Sequence, residues 1–205
     1  MFSMCTTQKP GREIGRYLLG QGHRTIAYLS AFHKSTWSIN RLAGLSSVYE
    51  AAGLRGGVHP VILDTKNPLE NPDEGIAECG IEEILRYYRE QRSHIPSHYL
   101  PSFDRLFHVE EGSLLMTIRD GVFRHYYEPL FRRAIENRTV TAWVAANDHV
   151  AIKALEFLRK RGVSCPSDLS LVGFDDTREA LEHKLSTYNF NVPGLVQAVL
   201  RHLLD

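Results

Sequence analysis

Two short polar stretches stand out as places where this sequence could do chemistry: Asn147-Asp148 and Asp175-Asp176, each directly after an apolar run. A carboxylate accepts hydrogen bonds from two neighbouring hydroxyls, and an amide both donates and accepts, so these groups suit recognition of a polar small molecule. Each pair also has a plainer use. Asn147 or Asp148 can cap a following helix, and Asp175-Asp176 can form a turn; one member of the first pair is expected to cap and the other to face ligand. Asp175-Asp176 is a poor acid–base dyad, because adjacent side chains on one turn usually point apart. The sequence contains no nucleophile elbow G-x-S-x-G, no phosphate-cradling G-x-x-x-x-G-K-[ST] and no G-x-G-x-x-G. No catalytic residue and no cofactor is therefore expected, and the chain is read as a non-enzyme.

Metal binding is not indicated either. The chain has 10 histidines, but His94 and His98 are separated by Pro96, which prevents them from sharing a helix face. Neither H-E-x-x-H nor a cysteine–histidine spacing occurs. The 3 cysteines, Cys5, Cys79 and Cys165, are odd in number and lack C-x-x-C spacing, so no disulfide framework is expected. Lys plus Arg equals Asp plus Glu at 24 each. That balance argues against a surface gripping DNA by itself, since phosphate neutralisation supplies most of such affinity. With no long apolar run and no export signal in the first residues, the expected location is cytoplasmic and no membrane contact is expected.

The elements that must position these groups follow from hydrophobic spacing. Ile14, Tyr17 and Leu18 mark a helix stopped at Gly20 and Gly22, and residues 25–30 read as a buried strand. Residues 39–52, with Leu42, Leu45, Val48, Tyr49 and Ala52, form a second helix closed by Gly53; 58–63 is a further strand, with Pro60 suited to a start or an edge. Residues 66–73 read as a loop, 81–92 as helical and 112–119 as ambiguous, and 123–137 is an amphipathic helix containing Pro129. Thr141 to Ala145 and Leu169 to Gly173 are nearly continuous apolar runs, as in strands buried on both faces of a parallel sheet. Between them lies a helix ending at Gly162, and 192–204 is a final helix. Alternating strands and helices with short loops predict an α/β fold of parallel sheets flanked by helices. In such sheets ligands bind beyond the carboxyl ends of the strands. This singles out the loop after Ser30, the Asn147-Asp148 turn and Asp175-Asp176.

Three stretches, in order, resemble the lactose-repressor family. They are Gly22-His23-Arg24 with its strand to Ser30 and Arg41-Leu-Ala-Gly44; Thr141 to Asp148 with Ala151; and Gly162 to Asp176, containing Pro166, Asp168 and Gly173-Phe-Asp175-Asp176. Leu185-Ser-Thr187 is similar to the family's leucine–threonine–threonine segment. The resemblance implies a periplasmic-binding-protein-like fold of two lobes around a ligand cleft. It implies a homodimer that senses a small-molecule effector, most simply a sugar, and represses transcription. DNA would be held only through a separate domain missing from this chain. Arg41, Asn147 and Asp175 are implied to reach the effector, with Asp148 as a further candidate. An aromatic wall is common in sugar sites, and Trp37, Phe174 or Tyr188 is each able to supply one. His23 is expected to be structural, fixing the helix-to-strand turn.

Against the family pattern the N-terminal lobe is expected to be incomplete. Residues 1–63 are expected to be its remnant, 64–122 an insertion or lobe-connecting segment, and 123–205 the C-terminal α/β lobe. Two other functions fit these features. One is a solute-binding protein of a sugar transporter, and the other is a structural dimerisation fragment that binds nothing.

Overall fold

The computed structural model describes residues 7–31, 33–63, 94, 96–99 and 127–204. They fall in two compact units, Met1–Asp64 with Leu130–Asp205, and Thr65–Pro129. The second unit contributes a 3-10 turn, Ser97–Tyr99. The readings of 66–73, 81–92 and 112–119, and most of the 64–122 segment, lie outside the described residues.

In the first unit the described elements run α1 (Lys9–Gly20), β1 (Ile26–Ser30), α2 (Thr36–Ala51), β2 (Val58–Ile62), α3 (Glu128–Glu136), β3 (Ala142–Ala145), α4 (Asp148–Arg159), β4 (Ser170–Phe174), α5 (Arg178–Glu182), β5 (Ser186–Tyr188) and α6 (Val192–Leu204). The strands make one five-stranded sheet in the order β2-β1-β3-β4-β5, and every neighbouring pair is parallel.

The two stretches expected to sit in separate lobes, 1–63 and 123–205, share this sheet. β1 lies directly against β3, Ile26 opposite Ala142 and Leu29 opposite Ala145. Both strands are buried along their whole length, which requires a hydrogen-bonded neighbour on each side and cover on each face. β1 obtains this from β2 and β3 within one sheet. Among the described residues β2, where Pro60 lies, is an edge strand, where a missing N–H is tolerated.

Residues alternate between the two faces. Ile26, Tyr28, Ala142, Val144, Val172 and Phe174 pack with Ile14 and Leu18 of α1 and Leu45 and Tyr49 of α2. On the other face Trp143 is 1% exposed. Its ring stacks on Phe131 of α3 at 6.1 Å between centroids, and Phe131 lies 5.4 Å from Phe157 of α4. Right-handed crossovers put α2 and α4 on opposite faces, since β1 to β2 steps one way along the sheet and β3 to β4 the other.

α2 starts at Thr36, three residues before the expected start at Ile39. Ser38 N–H and Ile39 N–H both donate to the Ser35 carbonyl, so the first turn closes on polar residues that hydrophobic spacing does not mark. α5 and β5 were not expected as elements; at 5 and 3 residues they are too short to show a period. α3 is described from Glu128, with Pro129 in its first turn, where its missing N–H costs nothing. His23 links α1 to the sheet: its Nδ1 lies 2.9 Å from Thr141 Oγ1, and its carbonyl accepts from the Tyr49 hydroxyl at 2.9 Å.

Trp143→Ala removes the largest buried ring from the α3–α4 face and is expected to cost about 3–5 kcal/mol. Urea unfolding of native and variant chains measures the difference. A loss below about 1 kcal/mol would contradict this account of the core.

Candidate functional site

Arg41 lies in the second turn of α2 and is 4% exposed. Its guanidinium reaches beyond the carboxyl ends of the strands. Nη1 donates to the Ala146 carbonyl just past β3, and Nη2 donates to Asp175 Oδ1 just past β4 at 3.1 Å. Three rings surround the cation: Phe174 at 4.6 Å, Trp37 at 4.9 Å and Phe190 at 5.0 Å from ring centroid to Cζ. Arginine suits this setting because its planar, weakly hydrated cation stacks on rings while donating at its edge. Among the described residues, Arg41 Nε is the buried side-chain polar atom without a hydrogen-bond partner.

Asp175 presents its carboxyl at this edge, with its side chain 41% exposed. Its φ is +111° and that of Asp176 is +52°. Two consecutive non-glycine residues are thus held where side chains are disfavoured, a cost of order 1–3 kcal/mol each. The Asp175 N–H donates to the Tyr188 carbonyl at 3.0 Å. Partial burial raises the Asp175 carboxyl above the ordinary range, and the Arg41 guanidinium opposes that shift. Asp176 points elsewhere, its N–H donating to Thr187 Oγ1 and its Oδ2 accepting from Asn189 Nδ2.

Asn147 caps α4: its Oδ1 accepts from Val150 N–H at 2.9 Å. Asp148 is fully buried. Its Oδ2 accepts from Thr177 N–H at 2.9 Å and its Oδ1 from the Thr187 hydroxyl at 2.6 Å. It therefore ties the turn after β3 to the α5 N-terminus and to β5. Asp148 sits over Gly173, where a side chain would collide with its carboxylate. Burial pushes the Asp148 carboxyl up, opposed by the two threonines, while Asp176 adds to the rise.

The loop after Ser30 supplies a buried hydroxyl cluster. Ser38 Oγ lies 2.8 Å from Ser30 Oγ, 2.9 Å from the Tyr28 hydroxyl and 3.1 Å from His33 Nδ1. Ser30 and Ser38 are both fully buried. This cluster sits at the end of β1, and Arg41 reaches the end of β3. Together they occupy the point where the strand order 2-1-3-4-5 reverses, the place where open α/β sheets bind ligands.

The structure brings together Arg41, Asp175 and Trp37, places Asn147 on the adjacent turn, and sets Asp148 behind them. All three aromatic candidates lie here: Trp37 and Phe174 stack on the guanidinium, and Tyr188 sits 6.1 Å from the Phe174 ring. Sequence reasoning missed Phe190, Tyr28, Ser38 and Thr187 as parts of the arrangement. Of these, Thr187 carried a signal, in the Leu185-Ser-Thr187 segment, and Ser38 is a polar residue one turn before Arg41. Among the described residues no group of three metal-binding side chains occurs, and no helix is long and apolar enough to cross a membrane.

Asp148→Ala leaves Thr177 N–H and the Thr187 hydroxyl without their acceptor and is expected to cost about 2–3 kcal/mol. Asp148→Asn keeps one acceptor and one donor. Because the native carboxyl is raised, the stability it adds is fully present below about pH 4 and is lost as pH rises through its folded pKa. The stability gap between native chain and Asp148→Asn should therefore move in favour of the variant from pH 4 to pH 7. Urea titrations at both ends measure it, and a gap independent of pH would contradict the assignment.

Comparison with known proteins accords with this geometry. The model of the periplasmic binding protein-like domain matches residues 92–205. The regulator reg1 of Streptomyces lividans is 38% identical, over 98% of this chain and 64% of its own length. MalR of Streptomyces coelicolor is 27% identical over the same shares. The solved structure of the Escherichia coli transcriptional repressor ascG aligns at TM-score 0.60 and 20% identity, covering 96% of this chain and 52% of that one. A LacI-family regulator from Enterococcus faecium, solved with bound ribose, aligns at 0.58 and 18%, covering 97% and 53%. The chain thus spans 64% of these two curated relatives and about half of the solved chains. It belongs to the periplasmic binding protein-like domain family.

Proposed function

We propose that this chain senses a sugar or a related small metabolite at the carboxyl edge of its sheet, as the effector-binding core of a transcription repressor. The observation that carries the reading is the Arg41–Asp175 pair: a buried, ring-stacked guanidinium holding a strained, half-exposed carboxylate at the strand-order reversal. Strain of this kind persists only where surrounding contacts enforce it, and it gathers at binding sites. Asp175 offers its carboxylate to adjacent hydroxyls, Asn147 its amide N–H, and Trp37 an apolar ring face. Such donor–acceptor sets discriminate polyols better than apolar pockets do. The resemblance supports direct effector contact by Arg41, which then exchanges part of its hold on Asp175 for ligand oxygens. Asp148 contributes from behind by fixing the turns.

Among the relatives, an arabinose metabolism transcriptional repressor of Geobacillus stearothermophilus is 51% identical over 23% of this chain. The Enterococcus structure holds ribose, and one from Alkaliphilus metalliredigens holds D-xylulofuranose. MalR and reg1 are named as regulators of the helix-turn-helix type, which supports DNA contact through a domain outside these residues and a cytoplasmic location. They also favour a regulator over a transporter's solute-binding protein.

A homodimer is part of this reading. Val192, Val196, Leu200 and Leu203 of α6 share one helix face at 51%, 50%, 51% and 73% exposure, and an isologous contact would cover it. Leu200→Asp should then convert dimer to monomer in sedimentation; an unchanged mass, whether monomer or dimer, would remove α6 from the interface.

Thermal unfolding against a panel of pentoses, hexoses, nucleosides and sugar phosphates tests the ligand reading. A ligand at about 100 times its Kd should add roughly 2.7 kcal/mol. Arg41→Ala and Asp175→Asn should abolish the shift. No shift with any member in a folded sample would defeat the sensing role and leave a structural fragment.

A further inference from the structure

The site is built on α2 and the strand ends, yet two separate contacts fasten it to α1. The first is backbone against backbone. A methyl group on Gly11 of α1 would run into the carbonyl oxygen of Arg41, and one on Gly44 of α2 into the carbonyl of Gln8. The helices therefore touch, without intervening side chains, on the very turn that carries Arg41. Side chains between helices absorb small displacements by changing rotamer; a backbone contact cannot, so a shift of α1 is passed to the Arg41 backbone.

The second contact reaches the guanidinium end. Glu13, two residues after Gly11, pairs with Lys9 at 3.7 Å, and its carboxylate stands beside the Tyr188 hydroxyl, which burial and then Glu13 push up to about 12. The Tyr188 ring meets Phe190 edge-on at 4.9 Å and lies 6.1 Å from Phe174. Phe190 and Phe174 are two of the three rings packed around the Arg41 cation. α1 thus meets the Arg41 backbone at Gly11 and, through Glu13, stands beside Tyr188 at the edge of its aromatic surround.

We propose that α1 is the positioning element of the ligand site, with Gly11 and Glu13 as positioning residues that act through Arg41 and Tyr188. A displacement of α1 then changes how firmly Arg41 grips Asp175, and with it the affinity of the site. Coupling of this kind is reciprocal, so ligand that alters the Arg41–Asp175 pair shifts the preferred placement of α1 by the same free energy. The proposal rests on reading the Arg41–Asp175 pair as the ligand site, but its test needs no ligand.

The Arg41 Nε–H supplies the readout. It is buried, lacks a hydrogen-bond partner and belongs to a guanidinium enclosed by rings, so ring currents give its nitrogen–proton signal a distinctive position. The signal is assigned by its disappearance in Arg41→Lys. Glu13→Ala, Tyr188→Phe and Gly11→Ala should each shift or broaden it. Gly20→Ala, on the same helix with open space around the new methyl, should leave it in place. A role confined to helix stability would lower the melting temperature without moving the signal. An unmoved signal in both Glu13→Ala and Tyr188→Phe would overturn the proposal, and those two variants decide it even where Gly11→Ala fails to fold. The sugar reading stands or falls separately on the thermal panel.

Discussion

The buried Arg41 guanidinium is the constraint on which the carboxyl edge of this sheet depends. It joins three segments that no single helix or strand connects: α2, the turn after β3 through the Ala146 carbonyl, and the turn after β4 through Asp175. A cation in such a place is tolerable only if its lost hydration is replaced. Two charged or polar partners and three aromatic faces replace it, leaving Nε as the unmet atom. The same arrangement fixes Asp175 in a backbone conformation that an isolated turn would leave. Exposed, the pair would contribute little; with Arg41 almost wholly buried, it dictates geometry.

That geometry also accounts for the glycines in the two motifs around it. In Arg41-Leu-Ala-Gly44 the glycine lies one turn after the arginine, on the side where α1 crosses at backbone distance. In Gly173-Phe-Asp175-Asp176 the glycine makes room for Asp148, whose carboxylate occupies the space a side chain would need. Phe174 then stacks on Arg41 and Asp175 pairs with it. Each motif therefore combines a group that acts and a gap that lets its neighbour approach.

Much of this was legible in the residues. Thr141 to Ala145 and Leu169 to Gly173 are continuous apolar runs because both faces of those strands are covered, and they form β3 and β4. Hydrophobic spacing reports which face of an element is buried but not which strands become neighbours. Nothing local distinguishes β1 beside β3 from β1 in a sheet of its own, so the division of 1–63 from 123–205 could not be judged before the pairing was seen. Asp148 illustrates a second limit. An acidic residue after a strand looks the same whether it faces ligand or is buried over a glycine, and its partners, Thr177 and Thr187, are 29 and 39 residues away. Phe190 joins the site just beyond β5, which at three residues is below the length at which alternation becomes visible.

The acids at the edge divide their work by environment rather than by type. Asp148 has both oxygens engaged and no exposure, so it is useful only as a brace. Asp176 is turned toward Thr187 and Asn189 and secures the return to β5. Asp175 alone of the three is paired with a buried cation while keeping part of its carboxyl open. A ligand hydroxyl arriving there meets an acceptor already oriented, with the cost of orienting it met during folding by Arg41 and the strained turn. Preorganisation of that kind lets a small polar molecule bind without losing most of its interaction energy to ordering the site. It also explains why the strained residue is the exposed one, and the relaxed, buried acid behind it is the one that holds the turns together.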